Sequence, residues 1–251
     1  MAGADGGFAI AGAASRQVKQ LPIDDRSLPL ARITPWQLTR HPPPFKLRYF
    51  VGKGAPPVRR ILDVGCGNHS ASVTKRWFPA ASYVGVDIGD YNNSHDDYAL
   101  MERFVKADLD RDSLGVLEDE SFDLIIMAHV IEHLHHGEEA VSNLARKLRP
   151  GGHMYIECPS ERSRRFPSAY HTLNFYDDPT HVRIYDLKGV CTAAGLRVVR
   201  GGIRHDWPRA IQGVTVRIPA HIRCFLQHRQ LFGPYLWDLL GFAKYAVAMR
   251  P

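Results

Sequence analysis

RRILDVGCGN, residues 59–68, runs from a short apolar segment into two glycines, Gly65 and Gly67, separated by one residue. The apolar part reads as a strand that ends at a glycine turn. Glycine there lets the backbone come close to a ligand and permits positive φ where the chain turns into a helix. The downstream texture repeats the theme. SASVTKRWF (70–78) reads as a helix, SYVGVD (82–87) as a second strand and RFVKAD (103–108) as a third. FDLIIMA (122–128) is a fourth strand without alternation, as expected of a strand buried on both faces. Leu134, Val141, Leu144, Ala145 and Leu148 then recur at helical spacing until the Pro-Gly-Gly of 150–152. HMYIEC (153–158) is a fifth strand, DLKGVCTAAG (186–195) a helix and LRVVRGG (196–202) a sixth strand. Strands alternating with helices predict an α/β fold, an open and mostly parallel sheet with helices on both faces. Ligands of such sheets bind beyond the carboxyl ends of the strands.

Composition fits that reading. The chain has 251 residues, 45% hydrophobic and 23% charged, enough for one domain of generous size with a substantial core. Residues 1–20, rich in Gly and Ala, are expected to form a flexible tail, and the Pro-rich residues 21–57 an extension that packs on the domain. The domain itself is expected over 58–251. No run approaches the roughly 18 apolar residues that span a bilayer. The N-terminus lacks a basic region followed by an unbroken apolar one, so the expected location is cytoplasmic. Cys66, Cys158, Cys191 and Cys224 are scattered with no C-x-x-C pair, which excludes a disulfide scaffold and a cysteine zinc site as readings. The net charge of +6 is modest and spread along the chain, the mark of an ordinary solvated surface; nucleic acid is not an expected partner.

Three successive strand ends carry chemistry. The first is Asp63-Val64-Gly65-Cys66-Gly67-Asn68. The second closes on Asp87, whose carboxylate can accept both hydroxyls of a ribose. The third closes on Asp108, placed where an adenine amino group could donate. At this point ILDVGCGN, VGVD, VKADLD, FDLIIMAHVIEHL and LRPGGHMYIECP together resemble the motifs of class I S-adenosylmethionine-dependent methyltransferases, over about residues 58–202. The resemblance implies a seven-stranded sheet whose last strand is antiparallel, with FAKYAVAMRP (242–251) as that strand. It implies that S-adenosylmethionine is the cofactor. Asp63, Gly65 and Gly67, with Cys66 between them, would line its methionine end. Asp87 followed by Ile88 would take the ribose, Asp108 with Leu109 the adenine, and His129 would sit beside the sulfonium. The chain departs from the family at Asn68-His69, where a third glycine is common, so the loop there is expected to differ in shape.

HVIEHLHH (129–136) contains H-x-x-E-H, the signature of a zinc peptidase. That chemistry needs both histidines on one helix. Here a strand runs into His129, and Glu132-His133 are expected to begin the following helix, which removes the peptidase reading. His129, Glu132 and His133 remain as cleft lining (the favoured reading), as hydrogen-bonded structure, or as help in binding a divalent ion; no metal ligands are assigned. His135 and His136 are expected to be solvated.

The long connection 158–187 leaves the fifth strand where a loop would cover the site, and a loop of that length is usually functional. Its D-P-T-H-V run, 178–182, loosely resembles methyltransferases found with polysaccharide and lipopolysaccharide assembly. His181 is the candidate base for a hydroxyl acceptor, with Asp178 to orient it or act as base itself; loop pinning by both residues is the structural alternative. Arg162, Arg164 and Arg165 could grip a phosphate, though solvation is the commoner use. Arg217, His221, Arg223, His228 and Arg229 form a second basic segment beside LFGPYLWDLLGF (231–242). Core packing of those aromatics is favoured over contact with a membrane surface. The leading expectation is methyl transfer to a hydroxyl of a small molecule, a sugar or glycan intermediate ahead of others and possible phosphorylation included. A quinone-type or aromatic acceptor comes second, then RNA modification, then a cofactor-less interaction protein.

Overall fold

β1 (Arg60–Val64), β2 (Ser82–Asp87), β3 (Arg103–Lys106), β4 (Phe122–Ala128), β5 (Leu148–Pro159), β6 (Arg197–Ile203) and β7 (Ala243–Met249) form one sheet, ordered β3-β2-β1-β4-β5-β7-β6. The structure is a computed structural model that describes residues 42–251. Pairing is parallel from β3 through β5, and β7 runs antiparallel to both β5 and β6. The Rossmann-like, mostly parallel sheet with an antiparallel last strand is therefore what the sequence builds. Strand order reverses between β1 and β4, which puts the ligand crevice at the carboxyl ends of these two strands.

Helices α1 (Ser70–Lys75), α2 (His95–Ala99), α3 (Gly137–Lys147), α4 (Leu187–Ala193), α5 (Trp207–Val214), α6 (Ile218–His228) and α7 (Trp237–Leu240) surround it. Successive strand residues feed opposite faces. Leu62, Val64, Ile125 and Met127 join Val141, Leu144 and Val190 of α3 and α4 in one core cluster. Ile61, Leu124 and Ile126 join Leu47, Phe50 and Ala71 in another. Full burial of each such side chain is worth about 1.5–3 kcal/mol, which is why FDLIIMA holds the centre of the sheet. Residues 1–20 and the first part of 21–57 lie outside the described residues. Within 42–57, a 3-10 turn at Phe45–Phe50 buries Leu47 and Phe50, and Arg48 reaches the Asp206 carboxylate at 2.7 Å.

Two local expectations are corrected. Glu132-His133 do not begin the helix after β4; they sit in a single 3-10 turn, Ile131–His133, and α3 starts at Gly137. The cause is competition for backbone amides. The N–H groups of His135 and His136 donate to Asp110 at 3.0 and 2.8 Å, and that of Gly137 to the Tyr185 hydroxyl at 3.1 Å. Leu134 is consequently extended, with φ −91 and ψ 140. The helix expected over 70–78 closes at Lys75, and Trp77 and Phe78 complete it as turns onto the Thr74 carbonyl. Among the described residues no helix is long and apolar enough to cross a membrane.

Candidate active site at the strand ends

Gly65 follows β1 with φ +74, and a Cβ there would lie 2.3 Å from Cγ2 of Val130, just past the end of β4. The two crevice strands thus touch through a position that only glycine fills without strain. The Gly67 N–H donates to Asp87 Oδ2 at 3.0 Å, and Gly89 N–H lies 3.3 Å from Oδ1. Asp87 is half-buried at the rim, its carboxylate oriented by backbone donors from both flanking loops, and Ile88 beside it is exposed. Where a third glycine is common in the family, Asn68 and His69 adopt φ +54 and +60. Asn is one of the few residues that tolerates this left-handed backbone. The chain after β2 folds over the turn and ties it down. Asn92 donates to Asn68 at 2.8 Å, Asn93 Oδ1 accepts from His69 N–H at 3.2 Å, and the His69 ring meets Asp97 at 2.7 Å. That clasp left no motif in the sequence.

Asp63 is fully buried. Its Oδ2 accepts from Ser70 at 2.6 Å and Tyr83 at 2.8 Å, with Lys46 at 3.6 Å, so it anchors the loop from beneath. Burial and the Asp63 and Asp87 charges push the Cys66 thiol up to about 12, leaving it inert beneath the loop. Asp108 and Leu109 lie half-buried after β3. Asp108 Oδ1 accepts from Asp110 N–H at 3.1 Å, and Oδ2 faces Arg111 at 3.4 Å.

His129, at φ +56 beyond β4, is wedged between two carboxylates. Nδ1 lies 2.9 Å from Glu132 Oε1, and Nε2 lies 2.9 Å from Glu157 Oε1 at the end of β5. Burial opposes its charge, yet the two glutamates raise its pKa to about 9, so at neutral pH it is a cation. Glu157 also meets Arg204 at 2.5 Å, and Arg204 meets Asp238 at 3.0 Å. Burial works against the Glu157 charge, but Arg204 and His129 hold its pKa well below the ordinary carboxylate range. Trp237 and Phe242, stacked at 4.5 Å, stand against the His129 ring. Sequence reading did not single out Glu157, Arg204, Asp238 or Trp237. The one available signal was Glu157, a lone charge at the end of an apolar strand.

The 158–187 loop is clamped onto the turn after β4. Val182 N–H donates to the Glu132 carbonyl at 2.7 Å, and the Tyr185 hydroxyl donates to the Leu134 carbonyl at 2.6 Å. Asp178 Oδ1 accepts from Thr180 N–H and Oγ1 at 2.9 and 2.6 Å, which pins the loop. Its Oδ2 lies 3.8 Å from His181 Nε2. Burial opposes the Asp178 charge, while the Thr180 bonds lower its pKa. His181 Nδ1 donates to the Phe175 carbonyl at 2.7 Å, so in the neutral tautomer Nε2 is the acceptor nitrogen. The rings of His133 and His181 are 4.9 Å apart, and one ligand atom each from Glu132, His133 and His181 falls within 4.8 Å of the others. Glu132 Oε2 is buried without a hydrogen-bond partner among the described residues. Arg162, Arg164 and Arg165 are all exposed. His135 and His136 have exposed side chains, in keeping with solvation.

A glycine turn at the switch point, with an aspartate held by that turn at the next strand end, is how class I S-adenosylmethionine-dependent methyltransferases receive their cofactor. The comparisons with known proteins agree: the chain belongs to the methyltransferase family, whose methyltransferase-domain profile matches residues 37–200. The ubiquinone biosynthesis O-methyltransferase of Hahella chejuensis is 29% identical over 128 residues, 49% of this chain and 52% of that protein. The chain therefore spans about half the length of this relative. A SAM-dependent methyltransferase from Archaeoglobus fulgidus shares the fold with a TM-score of 0.50 at 24% identity, over 86% of this chain and 92% of that one. The N-methyltransferase NodS of Bradyrhizobium japonicum, solved with S-adenosyl-L-homocysteine, does so at 0.52 and 18%, over 88% and 94%. The cofactor of the class is S-adenosylmethionine.

Proposed function

We propose that the protein transfers the methyl group of S-adenosylmethionine to a hydroxyl of a small molecule held under the 158–187 loop. Asp63, Gly65, Cys66 and Gly67 form the turn that receives the methionine end. Asp87 with Ile88 takes the ribose and Asp108 with Leu109 the adenine. His129, already protonated at neutral pH, has no lone pair for a further proton, so it positions the cleft wall beside the sulfonium. His181 carries the reading: its free Nε2, next to Asp178 and His133, is the group that takes the acceptor's proton. S-adenosylmethionine, held by those strand-end residues, would supply an electrophilic methyl group, and His181 Nε2 would take the proton that the acceptor hydroxyl gives up as its oxygen gains the methyl. In-line placement supplies most of the acceleration, up to about 7–11 kcal/mol. The aromatic wall of Trp237 and Phe242 and the name of the Hahella relative support a quinone-type or other aromatic acceptor; the exposed arginines at 162–165 support a phosphorylated sugar or glycan intermediate.

The test is formation of S-adenosylhomocysteine with a panel of phenols, catechols, sugars and nucleotide sugars. His181→Ala is expected to keep cofactor affinity and lose about 100-fold or more in turnover; a variant with full turnover removes His181 from the chemistry. A second reading has one observation in its favour. Glu132, which keeps Oε2 unpartnered, clusters with His133 and His181 so that one ligand atom of each lies within 4.8 Å of the others, a donor set suited to a divalent cation. Turnover that is lost to a chelator and restored by added Zn²⁺ or Mg²⁺ would assign His181 as a ligand instead.

A further inference from the structure

Of the aromatics in 231–242 expected to pack in the core, Phe242 is buried and Phe232, Tyr235 and Trp237 are half-buried, whereas the apolar residues of the two preceding helices α5 and α6 are exposed. On α5 the residues Trp207, Ile211 and Val214 recur at i, i+4 and i+7, and all face solvent. On α6 the same spacing gives Ile218, Ile222 and Phe225, joined by Leu226, exposed by 50, 56, 47 and 65%. A surface helix normally turns its apolar stripe to the core. Here α6 is attached by little more than buried Cys224 and the half-buried Ala220 and His221, and its apolar stripe points away. Among the described residues nothing covers this face. Exposed apolar stripes on two successive helices mark an interaction surface.

Charge identifies the partner. Residues 207–231 contain Arg209, Arg217, Arg223 and Arg229 and not one Asp or Glu. Two copies of such a face would bring like charges together, which argues against self-association. Apolar side chains interleaved with arginine on exposed helices are instead the composition of an interfacial membrane element. We propose that α5 and α6 dock the protein on the surface of an anionic lipid bilayer, with the apolar stripes inserted at the headgroup boundary and the arginines on lipid phosphates.

The position gives the docking a use. Tyr170 of the 158–187 loop stacks on His228 at the end of α6 with ring centres 3.7 Å apart, and its N–H donates to the Leu231 carbonyl at 2.9 Å. Trp237 Nε1 donates to the Thr172 carbonyl at 2.6 Å. The end of α6 therefore contacts the loop proposed to cover the acceptor, and a lipid-borne acceptor would arrive beside that loop. The docking surface does not depend on the identity of the acceptor or on methyl transfer itself.

The experiment is co-sedimentation of the full chain with vesicles of phosphatidylcholine alone and of phosphatidylcholine mixed with phosphatidylglycerol. Binding is expected to the anionic vesicles and to weaken at high salt. Arg223→Gln with Arg229→Gln is expected to cut it by about five-fold per arginine. Ile222→Gln, Phe225→Gln and Leu226→Gln together are expected to cut it by about ten-fold or more. All these side chains are exposed, so each variant should keep the wild-type melting temperature and affinity for S-adenosylhomocysteine, which separates a docking defect from a fold or cofactor defect. No binding to anionic vesicles overturns the proposal. So does a dimer in sedimentation equilibrium that the Gln variants dissociate, since that would assign the face to a second copy of the chain.

Discussion

The two halves of the cleft are held by different physics. On the cofactor side the working groups are backbone amides and one rim carboxylate, and the decisive bond, Gly67 N–H to Asp87, spans a separation of 20 in sequence. On the side proposed for the acceptor, imidazoles and carboxylates are brought together across the chain. Thr180 meets His133 across 47 positions, Arg204 meets Glu157 across 47, and Tyr185 meets Leu134 across 51. Geometry carried by glycine and main chain can be reused for one cofactor in many proteins. Geometry carried by side-chain charges is particular to one chain, and under the proposed function acceptor choice falls there.

If the acceptor side is held by buried charge, breaking that charge should do the most damage. Arg204→Met leaves Glu157 buried without its strongest counter-charge, a loss of about 3–5 kcal/mol. The expected fall in melting temperature is about 10 °C, read by calorimetry without ligand. A variant that melts with the wild type would mean that the network is ornamental and the contrast false. On the cofactor side, Asp87→Ala removes a charged acceptor worth about 1.5–3 kcal/mol. Affinity for S-adenosylhomocysteine should drop about 10- to 100-fold by titration calorimetry, with a much smaller change in ligand-free melting than Arg204→Met produces.

The seam between the halves can be probed too. Gly65→Ala places alanine at φ +74, costing about 1–2 kcal/mol in backbone strain, and drives its Cβ into Val130. Cofactor affinity should fall, and Val130→Ala in the same chain should restore part of it by removing the clash but not the strain. Equal affinities for the single and double variants would show that the two halves do not press on each other at that point.

The same contrast explains what could be read in the sequence. Gly65, Gly67, Asp87 and Asp108 stood out because each sits at a predictable strand end and acts through local backbone. The all-apolar FDLIIMA announced a central strand because burial on both faces leaves no alternation. The late start of α3 could not be read, since it follows from Asp110 and Tyr185 claiming amides from elsewhere in the fold. Glu157 with Arg204, and Glu132 with His181, were hidden for the same reason: spacing in sequence does not encode which side chains a folded loop brings together. His181 and Asp178 could be nominated by residue type and loop, whereas the approach of His133 and Glu132 to His181 had to be seen.

Asn68 and His69 lie between these cases, because the missing third glycine announced a different loop without saying what holds it. Asp97 holds it. This fully buried residue meets the His69 ring at 2.7 Å and accepts from Ser94 Oγ and N–H at 2.7 Å, with Ser72 bonded as well. Burial opposes its charge, yet these bonds set its pKa at about 2. An unfolded Asp titrates near about 3.9. A folded pKa below the unfolded one stabilises the protein fully above about pH 4, and the contribution drains away as pH falls toward about 2. Asp97→Asn should therefore lose on the order of 2 kcal/mol at neutral pH and flatten the acid side of the stability curve between those limits. If the clasp is what shapes the glycine turn, cofactor affinity at neutral pH should weaken as well, by less than in Asp87→Ala. A variant that loses stability but binds S-adenosylhomocysteine like the wild type would instead show that Gly65, Asn68 and Asp87 set the turn without help, and that the cofactor half is even more local than its hydrogen bonds imply.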